Sequence, residues 1–157
     1  MMSLTASPVG ELACMLLLAA AICTDLLRRI IPNTLICTGA IGGLIYHLMA
    51  AVTTVEGFLF SISGLLVGGL LLIWPYSRSW VGGGDVKLLA MLGTWVGPAT
   101  ILRVFVCTTL VGGLMAAVQI IRSRRTPGRV GSSRRDLPYA LAMGGGYALT
   151  LLGVAFF

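Results

Sequence analysis

The fold is indicated most clearly by residues 57–76, which read GFLFSISGLLVGGLLLIWPY and contain no charged residue. A helix needs roughly 17–25 mostly apolar residues to cross the hydrocarbon core of a bilayer, and this stretch has that length. Five further apolar segments flank it, at residues 11–27, 34–52, 86–97, 99–121 and 137–157. Segment 86–97 is short, so it is either a partial span or one completed by neighbouring loop residues. The pattern predicts an all-α polytopic membrane protein, a bundle of about six transmembrane helices.

The composition supports a membrane protein. Of the 157 residues, 57% are apolar and 10% are charged, whereas a soluble domain carries roughly 25% charged residues. The mean hydropathy is +0.99, and a chain this short cannot bury so much apolar surface in a water-soluble core. Residues 1–10 contain no Lys or Arg. The first apolar segment therefore lacks the basic start of a cleavable signal peptide and is expected to remain in the mature protein.

The basic residues predict an orientation, because short cytoplasmic loops of membrane proteins are enriched in Lys and Arg. Almost all of them fall in alternate loops between the apolar segments. They are Arg28, Arg29, Arg78, Lys87, Arg122, Arg124, Arg125, Arg129, Arg134 and Arg135. With these loops in the cytoplasm, both termini lie outside and segment 86–97 must cross the membrane. Only Arg103, near the outer end of the fifth segment, departs from the pattern.

The net charge of +6 is explained by this topology, so we predict no nucleic-acid partner. Residues 122–136 form a basic loop rich in Ser, Pro and Gly, which we expect to be mobile and cytoplasmic. It anchors the topology and touches anionic lipid, with a specific substrate-binding role as the alternative. The four cysteines form no C-x-x-C pair and the chain has one histidine. We therefore expect no disulfide framework, no metal and no cofactor.

The chain has only five acidic residues, Glu11, Asp25, Glu56, Asp85 and Asp136. Charged groups on membrane helices are costly and usually functional. Asp25 ends the first segment and Asp85 begins the fourth, so the predicted topology puts both at the same depth on the cytoplasmic side. Two neighbouring carboxylates cannot both ionise easily. One then acts as general base on a water, while the protonated partner polarises a scissile carbonyl.

Simpler structural roles also fit each residue. Asp85 follows three glycines and precedes an apolar run, which is typical of a helix N-cap. Asp25 lies three and four residues before Arg28 and Arg29, so an ion pair is an alternative. Pro32 and Asn33 read as the end of one helix and the cap of the next. The catalytic hypothesis depends on the joint occurrence of these motifs at one depth.

The residues 24–33, TDLLRRIIPN, and 82–88, GGGDVKL, resemble the paired motifs of the type IV prepilin peptidases, intramembrane aspartic proteases of the G-x-G-D type. A third segment, residues 137–144 (LPYALAMG), is similar to a Pro-Tyr-x-x-Ala-x-x-Gly element of that family. The resemblance implies that Asp25 and Asp85 are the catalytic pair of a single peptidase domain, residues 1–157. It also marks motif-supporting positions, which are Arg29, Pro32, Asn33, Gly82, Gly84, Lys87, Pro138 and Tyr139.

The resemblance further implies a substrate. Members of this family cleave the short basic leader of prepilin or pseudopilin precursors at the cytoplasmic face of the cell membrane. Gly82 and Gly84 are expected to permit a tight loop and close substrate approach. Larger members carry an extra cytoplasmic domain with two C-x-x-C pairs and also N-methylate the product. This chain has only a short connection after Arg28 in place of such a domain. Its compact form resembles the peptidases of tight-adherence (Flp-type) pili, and methylation is not expected.

Two other functions remain open at the level of sequence. A small transporter also uses membrane carboxylates, although its coupling sites usually lie near the midplane on broken helices. A non-catalytic assembly subunit of a pilus or secretion system would keep the helices without needing both Asp25 and Asp85. Cleavage and uptake assays in proteoliposomes would distinguish the three functions.

Overall fold

The computed structural model describes residues 8–28, 31–51, 53–125 and 139–153. These residues form five helices: α1 (Pro8–Arg28), α2 (Asn33–Ala50), α3 (Thr54–Ser77), α4 (Gly83–Arg125) and α5 (Tyr139–Leu151). No β-strand occurs in the described parts of the chain. Helices α1 to α4 are each long and apolar enough to cross a bilayer. The prediction of an all-α, multi-pass membrane protein is confirmed.

The ends of α2 and α3 follow from local sequence. The Pro32 ring holds φ at −66°, with ψ at 132°, so the extended chain turns into helix at Asn33. Before α3, the Thr53 side chain accepts a hydrogen bond of 3.2 Å from the backbone N–H of Glu56, which satisfies one free donor of the first turn. Helix α3 continues past Pro75 and ends before Arg78. The predicted segments 11–27 and 57–76 lie entirely within α1 and α3. The predicted segment 34–52 extends two residues beyond the end of α2.

Helix α4 is broken at Gly97. This residue has φ 76° and ψ 175°, a conformation that glycine adopts at little cost, and the ring of Phe60 occupies the space where a Cβ would lie. Pro98 follows, and proline suits the first position of a helix because it has no N–H to leave unpaired. We call residues 83–96 α4a and residues 98–125 α4b. The break lies where the fourth and fifth predicted segments meet.

Helix α4a is packed between α2 and α3 through glycines. Gly64 of α3 faces the backbone of Gly93, and a Cβ on Gly68 would lie only 2.6 Å from the Leu89 carbonyl oxygen. On the opposite side, Gly39 of α2 faces the Met91 side chain. Small residues allow this close approach between membrane helices. The sequence order of these contacts makes α4a antiparallel to α3.

Helix α4a is parallel to α2, and two hydrogen bonds hold α4a between its neighbours. The indole N–H of Trp95 donates to the Gly39 carbonyl of α2 at 2.8 Å, and the Ser61 hydroxyl of α3 donates to the Thr94 carbonyl at 3.1 Å. Six residues of α4a are buried, namely Leu88, Leu89, Met91, Leu92, Gly93 and Thr94. This helix is therefore the centre of the bundle.

Helix α5 packs between α4b and α1. Gly146 faces Thr108, and a Cβ on Gly112 would meet that of Ala142 at 3.7 Å, so α5 runs antiparallel to α4b. Gly144 faces Ile22 of α1. The buried Met143 and Tyr147 extend the core formed by α1 and α4.

Two predicted boundaries differ from the structure. Helix α4 continues through Arg125, so the first four residues of the predicted loop 122–136 are helical, and its remaining residues lie outside the described parts. Helix α5 has 13 residues, or about 20 Å at ~1.5 Å per residue. It is thus shorter than the span predicted at 137–157, of which residues 137, 138 and 154–157 are not described. Helices begin and end where capping and packing permit, and hydropathy alone does not define these limits.

Candidate functional site

Asp25 lies in the last turn of α1 and is partly buried. Its neighbour Thr24 donates its hydroxyl to carbonyls of its own helix, at 2.9 Å to Ala21 and 3.0 Å to Ala20. The Thr24 hydroxyl is thus hydrogen-bonded within α1. Asp25 is left as the acidic group at this end of the helix.

Asp85 lies in the first turn of α4 and is also partly buried. Its carboxylate lies within electrostatic reach of Asp25 and accepts a hydrogen bond from the backbone N–H of Gly82. The Gly82 carbonyl in turn accepts the first helical hydrogen bonds, from the N–H groups of Asp85 at 3.1 Å and Val86 at 3.4 Å. The N-cap position therefore belongs to Gly82, and the interpretation of Asp85 as the N-cap is wrong. The Asp85 carboxylate, in the first turn, instead accepts from the backbone N–H of the N-cap residue, as in a capping box.

The four described acidic residues divide into two groups. Asp25 and Asp85, 60 positions apart in sequence, interact at one end of the bundle. Glu11 and Glu56 lie in the first turns of α1 and α3, which places both at the other end of the bundle. The two aspartates therefore lie at the same end of the bundle, within electrostatic reach of each other.

The three glycines before Asp85 provide space. A Cβ on Gly82 would lie 3.2 Å from the Asp85 carboxylate, and one on Gly83 would lie 3.4 Å from the Tyr76 ring. A Cβ on Gly84 would meet the Ile31 side chain at an ordinary 3.6 Å. Neither Gly82 nor Gly84 has a positive φ. At Gly82 a Cβ would crowd the carboxylate, and no unusual backbone conformation is required.

Lys87 and Asn33 contact each other directly. The Lys87 ammonium donates a hydrogen bond of 3.1 Å to the Asn33 side-chain oxygen. The cap position before α2 is occupied by Pro32, and no side chain caps the helix there. The prediction of Asn33 as a cap is therefore wrong, because its side-chain oxygen is engaged by a neighbouring helix. The bond joins two of the motif-supporting positions.

Three motif positions carry no structural description. Arg29 and Pro138 lie outside the described residues, and the side chain of Tyr139, the first residue of α5, is not described. The alternative ion pair of Asp25 with Arg28 or Arg29 also depends on side chains outside the described part.

Sequence reasoning missed three residues that support the site. Tyr76 packs on Gly83, Ile31 packs on Gly84, and Trp95 hydrogen-bonds to α2. Only Trp95 gave a usable signal, because a tryptophan within an apolar segment needs an acceptor for its N–H. The contacts of Tyr76 and Ile31 depend on how the helix ends come together.

Metal ligands and disulfides do not contribute to the site in the described residues. No three His, Cys, Asp or Glu side chains there come together as metal ligands. Cys14, Cys23, Cys37 and Cys107 are free thiols. The pair of carboxylates is the chemical feature at this end of the bundle.

The type IV leader peptidase family matches residues 12–117 of the chain, a region that includes Asp25 and Asp85 and ends before Pro138. Curated proteins named prepilin leader peptidase/N-methyltransferase are also similar. The Bacillus subtilis (strain 168) protein is 31% identical over 96 residues, which cover 61% of this chain and 36% of that protein. The Aeromonas hydrophila protein is 31% identical over 116 residues, covering 68% and 39%.

A third such protein, from Aeromonas salmonicida (strain A449), is 30% identical over 115 residues, covering 67% of this chain and 38% of that protein. The chain thus spans less than two fifths of the length of these curated relatives. No solved structure matches the chain.

Proposed function

Because the chain belongs to the type IV leader peptidase family, we propose that it is an aspartic endopeptidase. Its substrates are prepilin or pseudopilin precursors, from which it removes the short basic leader. Asp25 and Asp85 are the catalytic residues. The observation that carries the proposal is that Asp25 in the last turn of α1 and Asp85 in the first turn of α4 lie at the same end of the bundle, within electrostatic reach of each other.

The paired carboxylates divide the chemistry between them. The ionised carboxylate takes a proton from a water molecule, and the water oxygen attacks the carbonyl carbon of the scissile peptide bond. The protonated carboxylate donates to the carbonyl oxygen, where negative charge develops. Transfer of a proton to the leaving nitrogen then allows the C–N bond to break.

The test is precursor cleavage by purified protein in proteoliposomes. Asp25→Asn and Asp85→Asn should each lower the rate by about 10²–10⁴-fold, the usual contribution of a general acid or base. The double variant should be hardly slower than either single variant, because residues that act as one unit are strongly non-additive. Glu56→Gln changes an exposed carboxylate of α3 and is the matched control, with an unchanged rate. Near-normal cleavage by either aspartate variant at equal protein level would remove the assignment and favour the transporter or assembly functions.

The orientation is part of the proposal. The site lies at the cytoplasmic face of the cell membrane, both termini lie outside, and the connection after Arg125 lies in the cytoplasm, all within a single peptidase domain, 1–157. The support is the distribution of Lys and Arg and the break between α4a and α4b at Gly97. A cysteine introduced within residues 126–135 should react with an impermeant thiol reagent only from the cytoplasm, and one at Thr54 only from outside. Labelling of both from one side would refute this path.

The enzyme is also proposed to cleave without methylating. Helices α1 and α2 are joined by residues 29–32, which leave no room for a domain between them. Mass spectrometry of the same cleavage products, with S-adenosylmethionine supplied, should find an unmodified amino terminus. A product heavier by one methyl group would contradict this part of the proposal.

A further inference from the structure

The hydrogen bond between Lys87 and Asn33 connects the two halves of the proposed site. It joins residues 54 positions apart in sequence, with a distance of 3.1 Å from Nζ to Oδ1. Lys87 lies two positions after Asp85, and Asn33 is the first residue of α2, eight positions after Asp25. Each partner is therefore close along the chain to one of the two carboxylates.

The bond lies at the site end of helices that are also held together at their opposite end. Towards the opposite end of α4a, α2 is fixed by the Trp95 hydrogen bond to Gly39 and by the contact of Gly43 with Thr94. At the site end, the Lys87–Asn33 bond and the packing of the Ile31 side chain against Gly84 both join the two motif segments. A hydrogen bond at the ends of two parallel helices controls their separation at that end.

The chemistry of Lys87 and Asn33 suits a bond that holds two helices at a fixed separation. The lysine ammonium has three donors and no acceptor, and the Asn33 oxygen is a neutral acceptor. The bond therefore fixes the ammonium without neutralising its charge. Because α1 is joined to α2 by only residues 29–32, a shift of Asn33 would be passed to the end of α1 that carries Asp25.

We propose that Lys87 and Asn33 are positioning residues, whose hydrogen bond holds the start of α2 against the start of α4 and thereby sets the separation of Asp25 and Asp85. This inference rests on the proposed function only where activity is measured. The positional effect can be measured without substrate.

The first experiment is hydrogen–deuterium exchange of the full-length protein in nanodiscs. The reporting amides are those of Leu35 and Ile36, bonded to the Pro32 carbonyl, and those of Asp85 and Val86, bonded to the Gly82 carbonyl. Lys87→Met should raise exchange at Leu35 and Ile36 about tenfold, and Asn33→Ala should do the same at Asp85 and Val86. Asn33→Asp keeps an acceptor oxygen and should restore the protection. The proposal would be overturned if Lys87→Met left exchange unchanged in α2 and Asn33→Ala left it unchanged in α4.

The matched control is Thr38→Val on the same helix. The Thr38 hydroxyl donates within α2, to the Thr34 carbonyl at 2.7 Å, so its loss should not change exchange at Asp85 and Val86. A rise there in the control as large as in Asn33→Ala would show a general loosening of α2, and would also overturn the proposal.

The second experiment measures cleavage kinetics. Misplaced catalytic groups lower kcat, so Lys87→Met and Asn33→Ala should each reduce kcat about tenfold with little change in KM. The double variant should be no worse than either single variant, and Asn33→Asp should keep kcat within about threefold of the wild type. A rise in KM confined to the Lys87 variant would mean that Lys87 binds substrate instead, which contradicts a positioning role.

The two experiments separate this inference from the proposed function. If the exchange results hold but the wild-type protein does not cleave precursor, the proposed function fails while the coupling of the two helix starts stands. If the protein cleaves precursor but the exchange and kcat of the variants are unchanged, only the positioning role fails.

Discussion

The two parts of α4 are continuous in sequence but have different surroundings. In α4a, buried residues occur at nearly every position from Leu88 to Thr94, and neighbouring backbones approach through glycine on two sides. In α4b, the buried residues Ile101, Val104, Cys107 and Thr108 recur at intervals of three or four positions, which places them on one face. The other face exposes Leu102, Val106, Leu110, Leu114 and Val118.

This difference shows which part of the helix positions the site. A helix buried all round is held by neighbours in every direction, whereas a helix with one buried stripe has a face left for lipid. Asp85 lies on α4a, the part that is enclosed by its neighbours. The rigidity that a pair of catalytic carboxylates needs is therefore supplied by α4a, and α4b supports the bundle from the side.

The largest expected effect comes from filling the space between α3 and α4a. Gly64→Ala would place a Cβ against the backbone of Gly93, and because backbone cannot move aside as a flexible side chain can, we expect a loss of about 3 kcal/mol of stability. Gly113→Ala in α4b is the control, since nothing lies within 4 Å of its Cβ position. It should be neutral or slightly stabilising. Unfolding by SDS in mixed micelles, followed by circular dichroism, measures both, and equal midpoints would contradict the comparison.

A smaller effect is expected from truncating leucines. Leu92 of α4a is fully buried and Leu110 of α4b is 69% exposed. Leu92→Ala leaves a cavity and should cost about 2–4 kcal/mol, whereas lipid fills the space vacated in Leu110→Ala, so that variant should lose less than about 1 kcal/mol. The same unfolding assay gives both values. A loss in Leu110→Ala as large as in Leu92→Ala would mean that α4b is also enclosed, by another chain.

The smallest effect concerns a single donor. Trp95→Phe keeps an aromatic ring stacked on Tyr46, whose centroid lies 5.7 Å away, but removes the hydrogen bond to the Gly39 carbonyl. The expected loss of stability is about 1 kcal/mol. Thr109→Val on α4b removes a hydroxyl that bonds within its own helix, at 2.8 Å to the Phe105 carbonyl, and should change stability less. If the two variants unfold at the same midpoint, the Trp95 bond does not help to hold α4a.

The helices could be predicted from the sequence because a bilayer imposes a simple rule on length and polarity. The break at Gly97 and Pro98 was also predictable, since these two residues interrupt an otherwise apolar stretch. The short α5 and the helical residues up to Arg125 were not, because hydropathy does not report where backbone hydrogen bonding stops.

The candidate site was predictable in part. The basic residues placed Asp25 and Asp85 at one end of the bundle, and in the structure they lie there within electrostatic reach of each other. The bond of Lys87 to Asn33, the contact of Tyr76 with Gly83 and the role of Gly82 as the cap were not predictable. Each depends on the approach of helix ends, which a single sequence records only as isolated polar or small residues.

The length of α4a has a consequence for the biosynthesis of the protein. Residues 83–96 form about 21 Å of helix at ~1.5 Å per residue, against a hydrocarbon core of about 30 Å, and they include the charged Asp85 and Lys87. A nascent segment of this kind does not partition into lipid alone. We expect it to enter the bilayer as a hairpin with α4b, after α2 and α3 are already present to receive it. Chains truncated at residue 97 should therefore leave α4a accessible to aqueous reagents in an insertion assay, whereas chains extended through Arg125 should protect it.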